Sequence, residues 1–373
     1  MRPQHQSLYI PRLDHLRFLA AAIVLLYHTF HQFVPLDVHP VNPLLVLIDE
    51  GHTGVGLFFV ISGFIFGVLT FGRDVRYWQF VRNRVLRIYP LLVFAVFLGA
   101  ARMREQISPS SLLFDHLLPI SSFGFSGPQL VHFPQLWGIA VEFQIYLLFP
   151  FFLRFAERYG VRYWIVFIGL LLTTRLLVWS ATETVQVLAY GSVFGRLDQF
   201  LVGLMAGRLY QHRAHVLGNP LFLLLACVVL LGAIWSFDRL GGYYGNGYPA
   251  KHPMWIVWPL VEALFWAFVV LAYVNSRLST GRWVGKALAW LGLISYSIFV
   301  MHFLVLYAWK PWIATSLVLS VDPWLDALLK GTFIVLPCTV LVAAMTYYLI
   351  ERPFLKYQGT YLVDAPKSTG RDE

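Results

Sequence analysis

The chain has 373 residues, of which 58% are hydrophobic, 17% aromatic and only 13% charged, and its formal net charge is +9. Soluble globular proteins carry about 25% charged residues, so this composition, with a mean hydropathy of +0.65, excludes an ordinary soluble domain. Long apolar runs favour helices over strands, because a segment in lipid must satisfy its own backbone hydrogen bonds. We therefore predict an all-α, polytopic membrane protein.

Windows of about twenty apolar residues predict about ten transmembrane helices. Their ranges are 14–34, 53–71, 87–101, 136–154, 163–181, 190–209, 218–236, 254–275, 289–310 and 325–350. Placing both termini in the cytoplasm puts most of the 28 Lys and Arg residues on the inside, as the positive-inside rule requires. Topology explains the basic excess, so we expect no nucleic-acid partner. We predict one membrane-embedded domain, residues 1–355, and a short polar cytoplasmic tail, 356–373.

Two loops on the predicted outer side are long, at 102–135 and 237–253. Their aromatic and glycine content suits either a lid over an outward cavity or a flexible connection. The two cysteines, Cys227 and Cys338, both fall in the middle of predicted spans. Neither a disulfide framework nor a cysteine-based metal site is therefore predicted, and we expect no bound metal.

The first predicted span, within PRLDHLRFLAAAIVLLYHTFH, carries Asp14 and Arg17 at one end and His28 near the other. About three helical turns separate Arg17 from His28, so both side chains project from one face with about 16 Å of rise between them. A titratable imidazole inside a hydrophobic span is costly and is usually functional. We interpret His28 as a candidate general base or nucleophile.

The predicted fourth span carries Glu142 at a depth comparable with that of His28. A buried histidine and a buried carboxylate at one level are candidates for a catalytic base and the group that orients it. A structural pair that holds two helices together is the alternative interpretation.

Further polar side chains fall within predicted spans, mostly toward the outer half: Arg175, Arg196, Asp198, Glu262, His302 and Lys330. Charges in hydrocarbon are unfavourable unless they pair or face water, so their number predicts a hydrated cavity that opens outward. Each of them is either a pairing or cavity-lining residue or a substrate contact. We single out His302, Arg196 and Asp198 as candidate substrate-binding residues, and Arg175 or Arg196 as a candidate stabiliser of an oxyanion.

Three arginines, Arg82, Arg84 and Arg87, begin the third span on the predicted inner side. Arg84 and Arg87 share a helical face, and guanidinium groups bind phosphate oxygens in a bidentate manner. Ordinary topogenic arginines near lipid headgroups are the alternative. No glycine-rich phosphate loop accompanies them, so a nucleoside triphosphate site is not expected. Ser62 is a candidate nucleophile, although a serine in a membrane helix usually bonds its own backbone.

These motifs together resemble the acyltransferase-3 family of integral membrane acyltransferases. The resemblance runs over almost the whole chain, through LDHLRFLAAAIVLLYH, GVGLFFVISGF, RVLRIYP, WGIAVEFQIY, RLDQFLVG, SYSIFVMH and IERPF in this order. It implies transfer of an acyl group, commonly acetyl, from cytoplasmic acyl-CoA to a hydroxyl of an extracytoplasmic carbohydrate, with no permanently bound cofactor. By position, it implies His28 as the catalytic residue with Arg17 as its motif partner, Glu142 as the family's acid, and Arg84 and Arg87 as a cytoplasmic arginine pair.

The sequence departs from the family pattern at His15, where a small residue is common, and at Gly138, where Ser or Thr is frequent. The acceptors implied are O-antigen, exopolysaccharide or a glycolipid, and the location implied is the lipid of the bacterial cytoplasmic (inner) membrane. On this hypothesis Arg84 and Arg87, with Arg82, hold the CoA phosphates while the thioester reaches toward His28. The rival interpretation is a transporter or flippase for a polar envelope precursor, although no inverted repeat is evident; a non-catalytic sensor is a third.

Overall fold

The computed structural model describes residues 9–35, 40, 42, 44–70, 72–102, 108, 112–118, 133–160, 162–213, 218–245 and 247–364. Its α-helices are α1 (Pro11–Phe33), α2 (Val46–Asp49), α3 (Thr53–Leu69), α4 (Tyr77–Arg102), α5 (Leu136–Tyr159), α6 (Arg162–Thr182), α7 (Gln186–Gly191), α8 (Val193–Arg213), α9 (Pro220–Arg239), α10 (Trp258–Asn275), α11 (Arg282–Leu293), α12 (Ser295–Ser316), α13 (Pro323–Lys330), α14 (Leu336–Thr346) and α15 (Arg352–Leu355). Single π-helical or 3₁₀ turns lie at Leu112–Leu117, Pro253–Ile256, Gly331–Val335 and Tyr347–Glu351.

One short antiparallel ribbon accompanies the helices in the described chain. It pairs β1 (Arg73–Val75) with β2 (Leu362–Asp364), with Arg73 opposite Asp364. The helical prediction is confirmed, because every predicted span corresponds to a helix and the ribbon lies outside the spans.

Eight helical segments of the described chain are long and apolar enough to cross a membrane. They are α1, α4, α5, α6, α9, α10, α12 and the continuous segment Pro323–Leu355 that contains α13 to α15. The other two predicted spans correspond to α3, which is apolar but has only 17 residues, and to α8, which carries several charged side chains. These two helices lie in the middle of the bundle.

The packing of α3 against α8 depends on four glycines. Gly63 and Gly67 share one face of α3, and Gly203 and Gly207 share one face of α8. A methyl group on any of the four would collide with the backbone of the facing helix; at Gly203 it would meet the carbonyl group of Val60. Small residues four apart on both helices let the backbones approach closely, as is common in membrane bundles.

Substitution of Gly203 therefore tests this contact. We expect Gly203→Ala to destabilise the protein by about 1–3 kcal/mol, because the backbones must separate to admit the methyl group. Thermal unfolding of the detergent-purified protein measures the change. Gly232→Ala on α9 is the matched control, because a methyl group there meets no atom within 4 Å. Equal melting temperatures for the two variants would contradict the close approach.

The outward faces of the peripheral helices are apolar. Large hydrophobic side chains on α6, α9 and α14 are more than half exposed, among them Leu177 (64%), Leu224 (61%) and Leu341 (67%). Such extended apolar surface is unfavourable in water and is neutral in hydrocarbon. The protein is accordingly a multi-pass membrane protein.

The bundle has two ends that differ in their polar side chains. The arginine end is the one at which Arg17, Arg84 and Arg87 lie, and the ribbon and the first residues of α1, α4 and α12 lie there too. The histidine end is the one at which His28 and His302 lie. Because α1 and α12 both start at the arginine end, each carries its histidine two to three turns further along.

Candidate active site

A cavity of about 280 Å³ lies at the arginine end, between α1, α3, α4, α5 and α12. Its polar lining consists of Arg17, Ser62, Arg84, Arg87, Glu142, Tyr146, Ser295, Tyr296, Gln358 and Tyr361. Toward the histidine end the lining becomes apolar, with Phe58, Ile139 and Phe299. The fold thus brings into one cavity three of the arginines and the acid that the sequence singles out.

Arg84 and Arg87 lie one turn apart near the start of α4. The guanidinium carbon of Arg84 is within 5.6 Å of the ring centroids of Phe66, Phe80 and Tyr146. No carboxylate in the described chain forms an ion pair with Arg84 or Arg87, although other arginines do. Two guanidinium groups without an ion-paired carboxylate in the described chain make this part of the cavity a favourable environment for phosphate.

The other two predicted arginines differ from this pair. Arg17 lines the same cavity, but its Nη1 donates a hydrogen bond to Asp14 Oδ1 over 2.7 Å, so part of its charge is already balanced. Arg82 is exposed and lies outside the cavity lining. The structure therefore does not bring it together with Arg84 and Arg87, with which the sequence analysis grouped it as a phosphate ligand. Residues separated by two positions in an α-helix point about 200° apart around the helix axis, so Arg82 and Arg84 cannot share a face.

The segment 356–364, called the C-terminal strap below, forms part of the cavity wall. The Asn83 side chain donates to the carbonyl of Gly359 over 2.6 Å and accepts from its amide over 3.1 Å. The Tyr361 ring lies 5.9 Å from the guanidinium carbon of Arg84. Burial raises the pKa of Tyr361, so its hydroxyl remains protonated and can donate to an anion. The sequence predicts this segment only as polar tail.

Glu142 makes its contacts at the cavity. It accepts hydrogen bonds from Ser62 Oγ, over 3.2 Å, and from the Tyr146 hydroxyl. Its hydrogen-bond partners in the described chain therefore do not include His28, which the predicted base–acid pair requires. Two residues at the same depth on different helices need not meet, because depth does not determine which way a side chain faces. Tyr146 follows Glu142 by four residues, so helical spacing alone could have identified it as a neighbour.

His28 lies against a second histidine. Its ring is stacked on that of His302, with centroids 5.3 Å apart and planes 18° apart, and packs on Phe303 at 4.4 Å. The His28 ring is only partly buried, and neither of its nitrogens makes a hydrogen bond within the described chain. A histidine that is partly buried and makes no hydrogen bond is available to accept a proton.

His302 has a defined tautomer. Its Nδ1 lies 2.6 Å from the carbonyl oxygen of Phe299, and since a carbonyl only accepts, Nδ1 carries the hydrogen. The ring is 1% exposed, and its Nε2 has no hydrogen-bond partner among the described residues. The stacked pair thus holds two imidazoles of which at least one presents an unused lone pair.

The other predicted substrate-binding residues, Asp198 and Arg196, form hydrogen bonds and ion pairs that join helices. Asp198 is fully buried and accepts a hydrogen bond of 2.8 Å from Arg175. Arg196 donates to Gln199 over 3.0 Å and lies 3.5 Å from Glu262. These contacts join α6, α8 and α10, so the charges that the sequence predicts to line a cavity balance one another instead. Arg175, a candidate oxyanion stabiliser, donates to backbone carbonyls of α8 as well as to Asp198.

The predicted lid at 237–253 is a packed structure at the histidine end. Glu50 accepts a hydrogen bond from the amide of Tyr243 over 3.1 Å and lies 3.1 Å from His52 Nε2. The carboxylates of Asp49, Glu50 and Asp238 are buried within 4.8 Å of one another. These contacts fasten the loop to α2. The other predicted lid, at 102–135, falls largely outside the described residues.

The fold and the cavity together define a class: a multi-pass membrane protein in which a basic cavity at one end leads toward a histidine pair near the other. A family model described as an acyltransferase domain matches residues 10–346. The chain belongs to the acyltransferase-3 family and is an O-acyltransferase, as the resemblance in its motifs implied.

Known relatives agree with this membership. The chain is 25% identical to BcsY of Komagataeibacter xylinus, described as a "putative membrane-bound transacylase", over 93% of this chain and 83% of that protein. It is 23% identical to a "putative O-acetyltransferase" of Staphylococcus aureus (strain COL), over 93% of this chain but only 58% of that protein. Acyltransferase MdmB of Streptomyces mycarofaciens is 29% identical over 41% of each chain. No solved structure matches the chain.

Proposed function

We propose that the protein transfers an acyl group, in the first place acetyl, from cytoplasmic acyl-CoA to a hydroxyl of an envelope carbohydrate or glycolipid in the bacterial cytoplasmic membrane. The arginine end then faces the cytoplasm and the histidine end the outside. One observation supports this most strongly. At one end the cavity holds Arg84 and Arg87, neither of which forms an ion pair in the described chain. At the other end its wall includes Phe299, whose ring lies 5.9 Å from that of His302.

The donor is bound in two parts in this proposal. Arg84 and Arg87 hold phosphate oxygens of CoA, and the neutral Tyr361 hydroxyl of the C-terminal strap adds a donor. A volume of about 280 Å³ is at the lower limit of pockets for drug-sized ligands, so it suits the slender pantetheine arm. The nucleotide remains at the mouth, and the thioester points toward the histidine end.

His28 acts as general base in the chemical step. Its free nitrogen accepts the proton of the acceptor hydroxyl while that oxygen attacks the thioester carbonyl carbon. A C–O bond forms, the tetrahedral intermediate collapses, and the C–S bond breaks. The imidazolium returns its proton to the departing thiolate, so the products are an ester and free CoA. His302 is a positioning residue here: its ring supports that of His28, and its Nδ1 hydrogen is held by the backbone.

Glu142 takes a role different from that of a partner to His28. Its hydrogen bonds to Ser62 and Tyr146 hold the Tyr146 ring beside the Arg84 guanidinium. We therefore assign Glu142 to shaping the donor cavity. This assignment also leaves Ser62 as a hydrogen-bond donor to Glu142 and not as the nucleophile.

Transfer of label tests the proposed reaction directly. Membranes from cells that lack their own copy of the gene, supplemented with this chain, are given acetyl-CoA labelled in the acetyl carbon. We expect base-labile label in the carbohydrate or glycolipid fraction, together with an equal amount of free CoA. Acetyl-CoA labelled in the adenine is the control and leaves no label there. Absence of both transfer and free CoA with correctly inserted protein would contradict the proposal, and movement of an envelope precursor without CoA release would favour a transporter.

A further inference from the structure

Two phenylalanines close the cavity on the side of the histidine pair. Phe58 lies one turn from Ser62 on α3, and Phe299 lies one turn from Ser295 on α12; all four line the cavity. The two rings meet edge to face, with centroids 5.9 Å apart and planes 74° apart. We call Phe58 and Phe299 the aromatic pair.

Both rings also pack in the region of the histidine pair. The Phe299 ring lies 5.9 Å from the ring of His302. Phe58 packs against the hydrophobic cluster that contains Phe303, and the Phe303 ring lies 4.4 Å from that of His28. The aromatic pair therefore borders both the cavity and the side chains that pack around the histidine pair.

The space beside the aromatic pair is open because the neighbouring residue on α5 is a glycine. Gly138 lines the cavity on α5, and a methyl group there would lie 3.5 Å from Cζ of Phe299, in ordinary contact. The hydrogen of Gly138 leaves that volume open next to the ring. A larger side chain at this position would fill that space.

We propose that the aromatic pair sets the length of the acyl group, so that the enzyme transfers short acyl chains and excludes those of four carbons or more. This inference rests on the proposed acyl-CoA donor. The physical reason is close packing: each added methylene group has to be placed against rings that are already in contact. Apolar pockets discriminate a single methylene group by about 10- to 200-fold.

The ratio of two turnover rates tests the proposal. The full-length protein, in membranes that contain its native acceptor, is given acetyl-CoA or butyryl-CoA, and free CoA is measured. We expect Phe299→Ala to raise the butyryl-to-acetyl ratio at least about tenfold, because the removed ring opens the cavity toward His302. Gly138→Val is the reciprocal variant and is expected to lower the ratio further.

Ile65→Ala is the matched control, because Ile65 lines the cavity two turns away from Phe58 on the same helix. It enlarges the cavity elsewhere, so the ratio is expected to stay as in the wild type. A ratio unchanged in Phe299→Ala, or changed equally in Ile65→Ala, would overturn the role of the aromatic pair. If Phe299→Ala fails to elute as a folded protein, Phe58→Ala and Gly138→Val carry the same test. If the wild type releases CoA from neither donor, the proposed function itself fails.

Discussion

Replacement of His28 by alanine is expected to reduce acyl transfer by about 10²- to 10⁴-fold, the range that a general base contributes. The His28 ring makes no hydrogen bond in the described chain, and it packs on the rings of His302 and Phe303. Binding of acyl-CoA should be unchanged, because the arginines at the other end of the cavity are untouched. Transfer of labelled acetyl and a CoA-binding titration on the same membranes measure the two effects.

Two further variants separate the roles of the stacked histidines. His302→Asn retains a donor toward the Phe299 carbonyl but removes the ring that supports His28, so an intermediate loss of transfer is expected. His252→Ala, in the loop at the same end, is the control and should keep activity within about twofold. Full activity of the His28→Ala protein would contradict the assignment of the base. An acetyl group found on His28 when acceptor is withheld would show that His28 acts as nucleophile instead.

The second large effect is expected at the arginine end. Arg84→Ala or Arg87→Ala should each weaken CoA binding by about 10- to 100-fold, since a hydrogen bond to a charged group contributes about 1.5–3 kcal/mol. Neither guanidinium forms an ion pair with a carboxylate in the described chain, although Arg87 interacts electrostatically with the buried Glu351. Calorimetric titration of CoA into the protein in lipid nanodiscs measures the affinity.

Arg82→Ala is the matched control for this prediction. Arg82 belongs to the same helix and the same run of arginines, but it is exposed and outside the cavity lining. We expect its replacement to change CoA affinity by less than about threefold at moderate salt, where exposed charges are screened. If Arg82→Ala weakens binding as much as Arg84→Ala does, the phosphates bind at the membrane surface and not at the cavity.

Several candidate residues could be singled out from the sequence because their signals are local. One or two helical turns of sequence are enough to show that His28 lies in an apolar run. The same is true of the spacing that places Arg84 and Arg87 on one helical face. Arg82 belongs to the same run of arginines but lies on another face of the helix. The partnership of Glu142 with His28 could not be decided in this way, because depth along a helix does not specify direction around it.

What the sequence by itself determined is the class of protein: an all-α, multi-pass membrane enzyme of the acyltransferase-3 family with His28 in a hydrophobic span. Composition and short motifs suffice for this, since the bilayer leaves an apolar chain few alternatives to helices. Only the tertiary structure decided that Arg196 and Asp198 pair between helices, that Tyr361 joins Arg84, and that Phe299 lines the cavity while it packs beside His302. Each of these contacts joins residues on different elements of the chain. It therefore depends on how the helices are rotated and packed, which a local sequence pattern does not determine.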